Sequence, residues 1–221
     1  MNTHNANDSG SHDDWVERIE LLVSSLLQVS ILAVALHAFA NRQWPVSFSG
    51  FAVLFLTFVP AILERRFRVR LPVEVTTFVC VFLFASYVLG EVSDFYEQLW
   101  WWDLLLHGAS AFVTGLIGFM AVYGFYVTNR VQIAPIYFAI ISFTLAVTVG
   151  SIWEIFEYTM DVAFGFNMQK SGLQDTMTDL MVNSVGALIA ALVGYYYVKH
   201  SDSQAGRRFI QKIYDRRRRG D

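Results

Sequence analysis

Nine carboxylates crowd one set of ends of the hydrophobic segments in this 221-residue chain: Glu91, Asp94, Glu97, Asp103, Glu154, Glu157, Asp161, Asp175 and Asp179. Arg42 and Lys170 are the two basic residues on that side, and His107 stands one turn beyond Asp103. At 100° per residue, helix positions three, four and seven apart share a face. Asp103 and His107 are i,i+4, and Glu154, Glu157 and Asp161 are i, i+3, i+7. Asp175, Asp179 and Asn183 step i, i+4, i+8, while Glu91 and Asp94 are i,i+3. If the four clusters converge, their charges repel, and the set must take up protons or a cation to stay compact.

An oxygen-rich set with one imidazole favours Mg²⁺, Mn²⁺ or Ca²⁺ over zinc. A di-iron site normally shows Glu-x-x-His motifs, which this chain lacks. Asp103, Glu154, Asp175 and Asp179 are therefore the expected metal ligands, with Glu91, Asp161 and Asn183 as secondary ones. His107 and Glu157 are the expected catalytic groups, and His107 is also a ligand in waiting. A single acid at a helix start, such as Asp103 or Asp175, is explained by capping or by the helix dipole. That explanation fails for the set, because Glu154, Glu157 and Asp161 fall near the C-terminal end of their segment and cations are scarce. Asp94 and Glu97 read as solvated loop acids, and His37, with no acid beside it, as a poor ligand.

The elements that position these groups are membrane helices. The chain is 55% hydrophobic and 16% aromatic, with mean hydropathy +0.42. Six stretches approach the roughly 20 residues that cross a bilayer core: 19–40, 46–63, 71–90, 104–126, 131–153 and 180–198. Backbone groups in lipid must bond internally, so each stretch is read as a helix. The expected fold is an all-α, polytopic bundle of six transmembrane helices in one domain, residues 15–200. A polar leader (1–14), read as disordered, precedes it, and a basic tail (201–221) follows. Ala38-Phe39-Ala40 imitates a signal-peptide cleavage site, but the leader is acidic where such a peptide is basic, so the first helix is expected to remain.

Basic residues divide sharply between the two sides. The N-terminus, the second and fourth connections and the C-terminus together hold 14 of the 16, which places both termini in the cytoplasm by the positive-inside rule. The implied location is the bacterial inner membrane. The arginine-rich tail is explained by orientation and anionic lipid, so no nucleic-acid partner is expected. Trp44, Trp100 to Trp102 and Trp153 mark the outer boundary as an aromatic belt. Cys80, alone and mid-helix, forms no disulfide and reads as a packing residue. Gly108, Gly115, Gly118, Gly186 and Gly194 read as close-packing positions between helices.

With these motifs laid out, Gly90-Glu91 and Asp94-Phe95-Tyr96, Trp102-Asp103 with Leu106-His107, Trp153-Glu154-Ile155 with Glu157-Tyr158 and Asp161, and Asp175-Thr176-Met177 with Asp179 resemble the YjdF-like family of bacterial inner-membrane proteins. The resemblance runs from Leu71 to Val198. It implies a multi-helix membrane protein and supplies no activity. The stretch from Asp175 to Gly186 also faintly resembles the VanZ-like membrane proteins.

No serine nucleophile elbow or phosphate-cradling glycine loop is present. The expected function is a divalent-metal-dependent enzyme acting on a lipid or lipid-linked headgroup at the outer leaflet. A cation- or proton-coupled transporter and a non-catalytic accessory protein are the alternatives. Transport requires polar groups to continue toward the cytoplasm, and below the acids the fifth and sixth segments offer mainly Ser142, Thr144 and Thr148.

Overall fold

The computed structural model describes residues 7–67, 73–127 and 133–200. They form helices α1 (Asn7–Ala40), α2 (Trp44–Thr57), α3 (Val59–Phe67), α4 (Val73–Phe84), α5 (Phe95–Gln98), α6 (Trp102–Val127), α7 (Pro135–Phe164) and α8 (Leu173–His200). A π-helical stretch, Ala85–Val92, continues α4. No strand occurs among the described residues. The chain is all-α, and six helical spans are long and apolar enough to cross a membrane: Arg18–Ala40, Trp44–Arg66, Glu74–Val92, Trp102–Val127, Pro135–Phe164 and Leu173–His200.

Local sequence sets several boundaries. Pro135 opens α7 behind Ala134, whose extended backbone is the conformation that a following proline enforces. Gly165 closes the same helix in the left-handed region at φ 70°, with its N–H on the Asp161 carbonyl. Pro60 has no N–H to give, and the second span is interrupted there, α2 handing over to α3 at Phe58. Helix α1 begins at Asn7, inside the leader read as disordered. Once an apolar span has nucleated a helix, adding residues costs little. The basic tail and the loop arginines Arg68, Arg70 and Arg130 lie outside the described residues.

The helices group into two compact units, residues 1–99 and 100–221. In the first, the inward face of α1 buries Ser24, Ile31, Ala35 and Ala38. Polar groups within this unit meet partners on other helices: Ser24 lies 3.3 Å from Thr77, the Gln28 amide donates to Thr57 at 3.1 Å, and Tyr87 of the π-helical stretch donates to the Val46 carbonyl of α2 at 2.7 Å. Cys80 is fully buried in this packing.

In the second unit α6, α7 and α8 pack against one another along faces of small residues. Ala111, Gly115 and Gly118 on α6 face Ser142 and Ala146 on α7 and Gly186, Ala187 and Ala190 on α8, all of them buried. A methyl group on Gly186 would stand 2.5 Å from the Gly108 carbonyl oxygen, so backbone meets backbone there. At one end of the unit Phe119, Tyr123 and Phe138 form a ring-packed cluster, joined by Tyr126 and Tyr197. The polar residues collect at the other end.

Two spans are longer than hydropathy implied. Helix α7 runs on to Phe164, beyond the expected end at Trp153, and α8 begins at Leu173 rather than Leu180. Glu154, Glu157, Asp175 and Asp179 lower the local hydropathy without breaking the helix. Glu154, Glu157 and Asp179 therefore lie inside membrane-length helices, while Asp175 and Asp103 stand in the first turns of α8 and α6.

Candidate metal centre

Three helices bring acids together because each turns its polar residues inward. On α7, Glu154 and Glu157 are buried, while Ile155, Phe156 and Tyr158 beside them are exposed. This is the reverse of a soluble helix, and it suits a lipid surroundings that apolar side chains can face without cost. On α6, His107 is buried and Asp103, one turn earlier, is about a quarter exposed. On α8, Asp179 and Asn183 are buried at 1% and 2% exposure.

His107 is the hub of the cluster. Its Nε2 lies 3.5 Å from Asp103 Oδ1 and 4.0 Å from Asp179 Oδ2. Its Nδ1 lies 3.5 Å from Glu154 Oε1, and the Asn183 amide reaches the same nitrogen at 3.4 Å. Charge-assisted N–H···O bonds run at about 2.7–2.9 Å, so the ring is surrounded by carboxylates without being bonded to them. Both oxygens of Glu154, Oδ2 of Asp179 and Oδ1 of Asn183 are buried with no hydrogen-bond partner. Thr176 lies beside Glu154 but reaches hydrogen-bond geometry at neither oxygen.

Buried carboxylates left in this way are costly, by several kcal/mol each when charged. The spacing is one that a cation fits. Ligands about 2.4 Å from a cation and at right angles to each other lie about 3.4 Å apart, close to the separations around His107. Two groups of donors meet this condition, each with all its ligating atoms within 4.8 Å of one another: Asp103, His107 and Asp179, and His107, Glu154 and Glu157. The buried acids and the histidine are close enough to hold a metal ion.

The remaining sequence-derived candidates have other positions. Asp175 is partly buried near Lys170 and Ser171 of the α7–α8 connection, and it joins neither donor group. Asp161 spends both oxygens on the loop that follows α7, accepting from the N–H of Met168 at 2.7 Å and of Gln169 at 2.8 Å. It pins the α7–α8 connection. Glu91 is exposed on the π-helical stretch of the first unit. Asp94 precedes α5 in the left-handed conformation at φ 59°, and His37 pairs with Asn41 at 3.0 Å.

Three contributors were not legible as such. Trp153, read as a belt residue, donates its indole N–H to Glu157 at 2.9 Å; the i,i+4 spacing was the available signal. Gly150 clears the place that Asn183 occupies, since a methyl group there would stand 2.6 Å from the Asn183 amide nitrogen. Lys170 places its charge near Asp103.

Fold and cluster together define a multi-pass, all-helical membrane protein whose buried polar end is built from acids and one histidine. More particularly, the chain belongs to the family described as predicted membrane protein (DUF2238), whose model matches residues 19–200. The YjdF-like resemblance agrees with that family. An uncharacterised protein of Thermotoga maritima is 28% identical over 173 residues, covering 76% of this chain and 86% of the relative. No solved structure matches.

Proposed function

We propose that the α6–α8 cluster holds a divalent cation and that the protein is a metal-dependent enzyme acting on the phosphate of a lipid or lipid-linked headgroup. The observation that carries this reading is the set of buried, unpartnered oxygens of Glu154 and Asp179 around an imidazole spaced from them as metal ligands are spaced. Bare acids repel a phosphate, so the metal is what makes an anionic substrate acceptable. Bound, it polarises a phosphoryl oxygen and activates water. Glu157, oriented by Trp153, is the base for that water, and Asp103, the partly exposed ligand, faces the side from which substrate arrives.

The membrane suggests the substrate. The cluster lies near the ends of three membrane-length helices, from the first turn of α6 at Asp103 to about two turns inside α7 and α8, within reach of a lipid headgroup, with exposed Trp101 and Trp153 near it in sequence. The charge division supports a setting with this end outside the cytoplasmic membrane of a bacterium and both termini within. A permeation route is the weaker reading. The Ser142 hydroxyl is spent on the Gly115 carbonyl and that of Thr144 on its own helix, and the aromatic cluster fills the far end.

Elemental analysis of detergent-purified protein before and after chelation tests the proposal. Bound divalent metal that falls in His107→Ala, with headgroup release from phospholipid vesicles that needs the metal, is the expected result. Purified protein that carries no divalent metal and shows no affinity for one overturns it.

A further inference from the structure

We infer that the cluster is built for two divalent cations, one beside each edge of the His107 ring, with the ring a ligand of one of them through a single nitrogen; this rests on the metal reading above. The two donor groups share no member except His107. They approach it from different nitrogens: Asp103 and Asp179 face Nε2, at 3.5 and 4.0 Å, and Glu154 faces Nδ1 at 3.5 Å. One cation cannot lie in the ring plane beside both nitrogens, so a single ion would leave the other group of acids uncompensated.

Each edge carries its own sign of a missing guest. On the Nε2 side it is Oδ2 of Asp179, 1% exposed, and on the Nδ1 side it is both oxygens of Glu154, 4% exposed. The charge count agrees. Asp103, Asp179, Glu154 and Glu157 bring four negative charges if ionised, which two divalent ions neutralise and one does not. His107 would stay neutral, one nitrogen on an ion and the N–H of the other edge given to an acid of the second group, so the count of four charges against two ions is kept. Asn183, whose amide sits at 3.4 Å from Nδ1, turns toward its ion with its unpartnered Oδ1 as that nitrogen is taken up.

The test is metal stoichiometry on the full chain in detergent, using Mn²⁺ as the probe. Wild type should bind two equivalents. The double substitution Asp103→Asn with Asp179→Asn, and separately Glu154→Gln with Glu157→Gln, should each retain one. Because a double variant can fail to fold, Mn²⁺-loaded wild type is also read by electron paramagnetic resonance, where two neighbouring ions give a broadened, coupled spectrum in place of isolated six-line signals. A saturating stoichiometry of one with an uncoupled spectrum overturns the two-ion inference and leaves the single-metal reading intact. No Mn²⁺ binding at all overturns both.

Discussion

At the scale of single residues, Glu154 and Asp179 matter for what they lack. A buried carboxylate with no donor is a stability cost that protonation or a bound cation offsets, so the groups that suit a cation weigh on the fold without one. Glu154→Gln or Asp179→Asn should raise the thermal midpoint of chelator-treated protein, corresponding to about 1–3 kcal/mol, while weakening metal affinity at least tenfold. Melts in detergent, with and without metal, read both effects. Trp153→Phe keeps the ring and removes the N–H given to Glu157. Headgroup release should fall by about 10–100-fold, the cost typical of losing an outer hydrogen bond to a metal site, with bound metal unchanged.

The acids and His107 were legible as a set because helical spacing repeats in three segments. Asp161 belonged to the same pattern and yet serves the loop, since the N–H groups of Met168 and Gln169 fold back upon it. Spacing along one helix reports the face, not what arrives to meet that face. The same reasoning separates Asp175, which lies near its own connection, from Asp179, which has only the cluster to turn to.

At the scale of elements, the reach of Asn183 depends on the surface of α7. Gly150→Ala places a methyl group 2.6 Å from the Asn183 amide nitrogen and should push it from His107, lowering metal affinity and costing about 1–3 kcal/mol of stability. Gly186→Ala should cost more, because the atom it meets is the Gly108 backbone carbonyl, which no rotamer change can move aside. Thermal unfolding of the two variants against wild type checks this order. The spans themselves were legible from hydropathy, and their ends at α7 and α8 were not. Hydropathy counts Glu154 and Asp179 as breaks, whereas the backbone continues because their side chains face protein rather than lipid.

At the scale of the whole molecule, the exposed surface is apolar along the spans, with Phe48 72%, Ile155 64% and Val162 69% exposed, as a bilayer requires. The division of basic charge makes a further expectation: reporter tags at either end should be inaccessible to a membrane-impermeant reagent in intact cells and become accessible on lysis. A tag labelled from outside would invert the arrangement and put the acids in the cytoplasm. On the proposed reading, a bound metal would also add to the stability of the whole. A ligand at a hundred times its dissociation constant stabilises the folded state by about 2.7 kcal/mol, so chelation should lower the melting temperature of wild type.

The rings of Phe119 and Tyr123, packed on Phe138 of α7, lie some twelve to sixteen residues down α6 from His107, about 18–24 Å along its axis. Anything polar that travelled the length of α6 would have to part that stack of rings, so the two ends of this three-helix unit are chemically insulated from each other.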